Sequence, residues 1–309
     1  MRILIMGTGG MGGYYGALLA KQDHEVTFVA RGKHLAAIRK EGLRIHSIHG
    51  DVTISPAHAT DDPSTTETPD LILFCTKTYA TDRAAELVKP VVRQGTTILS
   101  LQNGIDAPER IGKVVGMQHM LGGATWISSA VQAPGVINQV SDFRRVVIGE
   151  LDRQITPRLK AVHQAFQETG IAAELSDNIL KVLWTKFIFI SAASSFGSLT
   201  RLPMAQYRAV PDTRELIVAL MREVEALGRK QAVELDADVV DQALRFMDNA
   251  GPSIKASMQL DVESGHRTEI ESMLGVIGRK GRESRVETPV ADTLYALLLP
   301  VDLSARGRS

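Results

Sequence analysis

The sequence predicts an α/β domain over residues 1–176 followed by an all-α domain over 177–309. Two observations predict this. Up to residue 175, short apolar β-type runs alternate with helical patterns, as a mostly parallel sheet with helices on its faces requires. From Ser176 onward every ordered pattern is helical, beginning with the very apolar stretch 177–190. A chain of 309 residues also exceeds what one core usually serves.

The first element decides the character of the first domain. Ile3-Leu-Ile-Met6 is an apolar strand that breaks into Gly7-x-Gly9-x-x-Gly12, and residues 14–21 read as a helix with Leu18 and Leu19 on its apolar side. Strand, tight glycine turn and helix in that order are the context of a dinucleotide fingerprint, so the α/β domain is of Rossmann type. Gly7 permits the turn, Gly9 lets the backbone approach a pyrophosphate, and Gly12 lets the helix pack closely on the strand. Gly10, inside the same turn, belongs to the cofactor-binding set. The pyrophosphate is expected on the unpaired N–H groups of the helix N-terminus.

A second strand, 25–30, ends at Arg31-Gly32 with Lys33 close by. NAD-binding folds commonly end this strand in an acid that accepts hydrogen bonds from the ribose. A guanidinium there suits the doubly charged 2′-phosphate instead, which makes NADP(H) the expected cofactor and Arg31 its contact.

A helix over 34–41 follows; 43–47 and 51–55 alternate as short exposed strands should, and 61–69 is a polar loop. The run 70–76 is continuously apolar, like a parallel strand buried on both faces, and it ends in Lys77-Thr-Tyr79. After a helix over 80–92, the strand 96–101 ends in Gln102-Asn103-Gly104. Both ends fall at the C-terminal edge of the sheet, where ligands bind in open α/β folds. Asn103 has an amide donor and an amide acceptor, able to touch a nicotinamide and a substrate oxygen. Asparagine before glycine is equally a common turn pair. Residues 119–150 contain Gly122-Gly123 and a hairpin about Ala133-Pro134-Gly135, flanked by 136–140 and 145–149. A helix over 156–169 and a strand over 171–175 complete the domain.

In the all-α half the expected helices begin with 177–190 and continue with 212–234, where Leu216, Leu220, Val224 and Leu227 have helical spacing. Helices over 237–249, 268–281 and 289–299 follow, then a frayed polar tail over 304–309. Lys186 stands out among Trp184, Phe187, Ile188, Phe189 and Ile190. A lysine in so apolar a helix either snorkels outward or is held at an inner site. A partly desolvated lysine has the lowered pKa that suits a proton donor near neutral pH. Ser257 and Asp261 stand four apart, on one face if their segment is helical. Glu269 opens the next helix, where a carboxylate favours the dipole. Capping and surface ion pairs are the plainer use of such residues.

Composition narrows the classes. Thirty-five basic residues cancel thirty-five acidic ones, which removes the electrostatic footprint of a general nucleic-acid binder. Cys75 is the single cysteine, so neither an intramolecular disulfide nor a cysteine zinc site is available, and a buried inert thiol is expected. No metal is called for. No uncharged apolar run approaches ~18 residues and the first strand leaves no place for a signal peptide. A soluble cytoplasmic protein without membrane or nucleic-acid partners is expected, and a homodimer is left open.

These pieces in combination resemble the ketopantoate reductase (2-dehydropantoate 2-reductase) family across nearly the whole chain. They are Gly7-x-Gly9-x-x-Gly12, Arg31, Cys75-Thr-Lys77, Gln102-Asn103-Gly104, Trp184-x-Lys186, Ser257-Met258 with Asp261, and Arg267-Thr268-Glu269-Ile270. The resemblance implies a Rossmann domain that binds NADPH, a helical substrate domain, and a cleft between them. The implied reaction reduces a 2-oxo acid to a 2-hydroxy acid, ketopantoate to pantoate in pantothenate biosynthesis being the family's own case. It implies Lys186 as the general acid, its cation also stabilising the developing oxyanion. By the same resemblance Glu269 orients the lysine or touches the cofactor, and Ser257 holds the substrate carboxylate. Asn103 bridges nicotinamide and substrate, and Lys77 lies near the cofactor.

One departure bears on the substrate. The family's substrate-binding asparagines, one and two helical turns after the lysine, are Ile190 and Ser194 here. An isoleucine cannot hydrogen-bond, so a polar group set against it loses its partner; a bulkier or more apolar 2-oxo acid is the expectation, with Ser194 kept in the substrate set. Two alternatives compete. A β-hydroxyacid dehydrogenase-type reductase shares the plan, but Lys77, Asn103 and Arg267-Thr268-Glu269 favour the ketopantoate type. A non-catalytic NADP(H)-binding sensor would bind cofactor without turnover.

Overall fold

A computed structural model describes residues 1–307 of the chain. By its contacts the chain divides into two compact units: Met1–Gln102 with Ala107–Ile179, and Asn103–Asp106 with everything from Leu180 onward.

The first unit is α/β. In chain order it contains β1 (Arg2–Met6), α1 (Gly10–Ala20), β2 (Glu25–Val29), α2 (Gly32–Glu41), β3 (Leu43–Ser47), β4 (Val52–Ile54) and β5 (His58–Thr60). Then come β6 (Leu71–Phe74), α3 (Thr81–Val88), β7 (Thr97–Ser100), α4 (Ala107–Val115), β8 (Met120–Trp126), β9 (Ser129–Ala133) and β10 (Val136–Gln139). The unit closes with β11 (Arg145–Glu150), α5 (Pro157–Glu168) and β12 (Ala172–Leu175). Eight strands form one sheet in the order β12-β11-β8-β7-β6-β1-β2-β5, and four form a second in the order β4-β3-β10-β9. In the large sheet β1 pairs in parallel with β2 on one side and β6 on the other. The chain leaves β1 toward β2 and later resumes beside it at β6, so the β1/β6 border is the switch point at which open sheets bind ligands.

Helix α1 lies between the two sheets. It is apolar all round and buried from Gly12 to Leu19, as a helix covered on both sides must be. Glycines allow the approach. A β-carbon on Gly12 would stand 2.2 Å from the Gly7 carbonyl oxygen and 2.9 Å from Cys75 Cβ; one on Gly10 would stand 2.3 Å from the Ser129 carbonyl oxygen of the second sheet.

Several expectations change in this unit. The helix starts at Gly10 rather than at residue 14, because glycines at its first turn are what the packing demands. The Pro134-Gly135 turn joins β9 to β10 in antiparallel register; β11 belongs to the large sheet, antiparallel to β8. β9 escapes sequence reading because its residues are largely exposed, so no apolar alternation marks it. β8 escapes through Gly122 and Gly123, whose absent side chains leave room for Ile179 and Leu99. β5 and α4 were not expected. The helix expected over 80–92 ends at Val88 and gives way to a 3₁₀ turn over Lys89–Val91 that contains Pro90. Cys75 is buried as expected, and burial pushes its thiol pKa well up.

The second unit is helical: α6 (Ile179–Thr200), α7 (Met204–Tyr207), α8 (Pro211–Lys230), α9 (Val239–Asp248), α10 (Ser257–Glu263), α11 (Val276–Ser284) and α12 (Pro289–Arg306). α6 has an 18-residue stretch of mean hydropathy 1.4, long and apolar enough by that measure to cross a membrane, yet 61% of that stretch is buried within the protein. Its Trp184, Phe187, Ile188 and Phe196 pack with Ile217, Leu220, Met221, Val224 and Leu227 of α8 in one core. Leu216, expected on that face, is 49% exposed: the face centres on Ile217 and Met221, which leaves position 216 at its edge.

The helix expected over 268–281 is interrupted at its start. Glu271–Gly275 forms a π-turn before α11 continues to Ser284. α12 runs through Pro300 to Arg306, so the tail expected over 304–309 is helical to that point; residues 308 and 309 lie outside the described residues. Asp302 secures these last turns, its carboxylate accepting from Thr268 N at 2.7 Å, Thr268 Oγ1 at 2.8 Å and Arg306 Nε at 2.7 Å.

The glycine packing predicts a contrast. Gly12→Ala should cost about 1–3 kcal/mol, the usual scale for overpacking against backbone. Gly9→Ala, whose β-carbon meets nothing within 4 Å, should change stability by less than ~0.5 kcal/mol. Guanidinium unfolding of the two variants checks this; equal losses would refute the packing role of Gly12.

Candidate functional site

The first unit presents an anion cradle. Gly7 has φ +102 and abuts Thr76, whose N would stand 2.8 Å from a β-carbon there. The fingerprint turn is thus seated at the C-terminal end of β6, directly before Lys77. Gly9 caps α1 in extended conformation without a side-chain hydrogen bond, and the first turn carries no acid. A β-carbon on Gly9 would meet nothing within 4 Å, and a helix start of this kind, with its positive dipole end, favours an anion. Gly10 serves a different end as well: its bare Cα admits the Ser129–Ala130 backbone.

Arg31 caps α2 in extended conformation and is exposed. Its guanidinium has no hydrogen-bond or ion-pair partner among the described residues, so its charge is available to a phosphate. Lys77 is partly buried. Sequence reasoning assigned no role to Gln102, yet its side chain ties two strand ends together. Its Nε2 donates to the Thr76 carbonyl at 2.8 Å and to Thr81 Oγ1 at 2.9 Å. The signal was present, since Gln102 directly precedes Asn103 in the matched motif.

The second unit holds a desolvated lysine. Lys186 projects from α6 and donates from Nζ to Asn103 Oδ1 at 2.7 Å, so it does not snorkel to bulk water. Asn103 reaches this unit because Ile105, two residues on, packs into the helical core. Gly104, at φ +101, closes the loop against the π-turn: a β-carbon there would stand 3.2 Å from the Ser272 carbonyl oxygen.

Desolvation lowers the Lys186 pKa to about 8, with the Glu269 carboxylate pulling the other way. Glu269 is itself buried, and its carbonyl accepts the N–H groups of Ser272 and Met273 at 3.0 Å each, which anchors it at the mouth of the π-turn. π-turns of this kind recur at functional sites.

Lys186, Ile190 and Ser194 follow one face of α6 at spacing four. Ile190 is partly exposed, Ser194 is buried, and further along this face Gln259 of α10 fills the space left by Gly197. Ser257 is exposed at the first position of α10. It makes no hydrogen bond among the described residues, whereas Lys186 is linked to Asn103 by a hydrogen bond and to Glu269 by charge. Among the described residues no cluster of three or more metal-ligating side chains occurs.

Comparison with known proteins follows this geometry. The family model described as ketopantoate reductase PanE/ApbA matches residues 3–153, and that of its C-terminal part matches 178–302. The chain is 31% identical over 300 residues to an uncharacterized oxidoreductase, YkpB, of Bacillus subtilis, covering 96% of this chain and 98% of that protein. The solved 2-dehydropantoate 2-reductase of Geobacter metallireducens superposes with a TM-score of 0.90 at 30% identity, covering 97% of this chain and 99% of that one. A PanE/ApbA family ketopantoate reductase of Ralstonia eutropha gives 0.91 at 28%, covering 99% and 100%.

The electrostatics can be tested without any reaction. In an NMR titration of labelled lysine side chains, Lys186 should inflect near pH 8. Because Glu269 raises this pKa, Glu269→Gln should move the inflection to lower pH; an unmoved inflection would remove Glu269 from the lysine's surroundings.

Proposed function

The chain belongs to the ketopantoate reductase family and is an oxidoreductase; we propose that it reduces the carbonyl of a small 2-oxo acid with NADPH. The observation that carries this reading is the Lys186 ammonium, held 2.7 Å from Asn103 Oδ1 and desolvated to a pKa of about 8. When bound, NADPH supplies the hydride that adds to the 2-oxo carbon. Lys186 carries the proton that the carbonyl oxygen takes as its negative charge develops. Near pH 7 the lysine is still protonated, yet acidic enough to give that proton up. Its charge acts from a site of reduced hydration, where electrostatic stabilisation is strongest.

Asn103 has a narrower role than its two-sided amide allows. With Oδ1 taken by Lys186, it offers Nδ2–H to a substrate or nicotinamide oxygen. In this reading Gly7, Gly9, Gly10 and Gly12 hold the pyrophosphate, Arg31 takes the 2′-phosphate, and Lys77 lies near the cofactor. Glu269 keeps Lys186 charged, and Ser194 and Ser257 serve the substrate. The open space beside Gly9 and the free guanidinium of Arg31 support the cofactor assignment.

Ile190 favours a particular substrate. It places an apolar surface one turn beyond the proton donor, so a 2-oxo acid with an apolar side chain suits this site better than hydroxylated ketopantoate. NADPH oxidation against a panel of 2-oxo acids, ketopantoate included, checks this: kcat/KM should be highest for apolar members, and a clear preference for ketopantoate would reverse the substrate assignment.

Two substitutions test the rest. Lys186→Ala should lower kcat by roughly 10²–10⁴-fold, the usual scale for losing a general acid, with NADPH affinity kept. An indifferent variant would turn the reading toward a non-catalytic NADP(H) sensor. Arg31→Ala should weaken NADPH by ~10-fold or more, the scale of a lost charge-assisted hydrogen bond, and NADH far less. Equal effects, read by nucleotide fluorescence, would detach Arg31 from the 2′-phosphate.

A further inference from the structure

His34 lies in the first turn of α2, three residues after Arg31. Its Nδ1 accepts the backbone N–H of Gly135 at 3.0 Å. A ring nitrogen that accepts carries no proton, so the proton of the neutral ring sits on Nε2. Burial lowers the pKa of the ring, opposed by the Thr8 backbone, and the neutral form persists near pH 7. Nε2 is buried without a hydrogen-bond partner of normal geometry, and it faces the backbone of Thr8.

The segments around this ring are the ones that would hold the nucleotide. Thr8 stands between Gly7 and Gly9, and its N and Oγ1 both donate to the Val29 carbonyl, at 3.0 Å each. Gly135 is the turn residue of the β9–β10 hairpin, at φ +75, where a β-carbon would stand 3.1 Å from Ala37 Cβ of α2. From that turn β9 runs back to Ser129 and Ala130, whose backbone covers Gly10. One imidazole therefore touches the fingerprint turn, the turn that carries Arg31, and the hairpin that closes over the start of α1.

We propose that His34 is a positioning residue of the nucleotide site, holding the Gly7–Gly9 turn and the Arg31 turn in one frame by way of the β9–β10 hairpin. The proposal rests on the NADP(H) reading above and concerns binding rather than the chemical step. A histidine that merely filled space would affect stability and leave the affinity of the folded protein unchanged. A positioning residue changes affinity, because the turn must then be ordered at the expense of binding.

The test compares His34→Ala with His34→Asn, whose Oδ1 can take the place of Nδ1 as acceptor for Gly135. NADPH affinity is read by fluorescence on protein shown to be folded by its unfolding midpoint. His34→Ala should bind NADPH ~10-fold more weakly, the scale of a lost buried hydrogen bond. Its kcat at saturating NADPH should stay within ~2-fold, since binding and not the barrier is affected. His34→Asn should return the affinity to within ~3-fold of the original chain. Unchanged affinity in a folded His34→Ala, or a folded His34→Asn tenfold weaker than the original chain, would overturn the proposal; the second outcome decides even if the alanine variant does not fold. An original chain that binds neither NADPH nor NADH would overturn the cofactor reading, and this proposal with it, before any substitution is made.

Discussion

The first unit depends on one steric constraint: α1 is pressed between two sheets with no room for side chains where it meets them. Gly12 and Gly16 face the large sheet, Gly10 and Gly13 the small one, and a β-carbon at any of the four would lie within about 3 Å of another atom. This explains why the fingerprint glycines cannot be reduced to ligand contacts. Gly7 serves a backbone angle, Gly12 a helix–strand contact and Gly10 a helix–hairpin contact. Only Gly9 faces open space. The open space beside Gly9 is what remains at the end of a helix whose sides are fully used.

In the second unit the deciding term is the cost of removing a charge from water. Burial lowers the Lys186 pKa from its ordinary 10.5 to about 8, and Glu269 resists. A site built only for stability would be expected to avoid this cost with an apolar residue, as the neighbouring Phe187 and Ile188 do. The expense is intelligible if the lysine must change protonation state in its work. Asn103 and Glu269 set how far the change goes: the amide oxygen solvates the ammonium, and the carboxylate keeps it from losing its proton outright.

What was legible in the sequence was local. A strand, a glycine turn and a helix are neighbours in the chain, so Gly7 to Gly12 declared both fold class and nucleotide chemistry. The end of β2 before Arg31 was legible for the same reason. The small sheet was not: β9 is nearly all exposed, the strand β3 that pairs with β10 lies far back in the chain, and the packing of β9 against Gly10 shows only in three dimensions. The direction of Lys186 was equally hidden, since an apolar helix permits both an outward and an inward lysine. Its partner Asn103 is 83 positions away, and no periodicity reports such a pairing. Leu216 and Ile217 show the limit for helices, where one residue of phase decides which side chain is buried.

The placement of Asn103 joins these strands of reasoning. Gln102 is bound to the ends of β6 and α3 through Thr76 and Thr81, next to the turn that seats Gly7. The following residue, Asn103, belongs to the helical unit and holds Lys186. One peptide bond therefore separates the residue that ties together the ends of β6 and α3 from the residue that holds the Lys186 ammonium. The donor geometry is complete within its own unit, since Lys186, Asn103, Glu269 and the π-turn that anchors them are all parts of it.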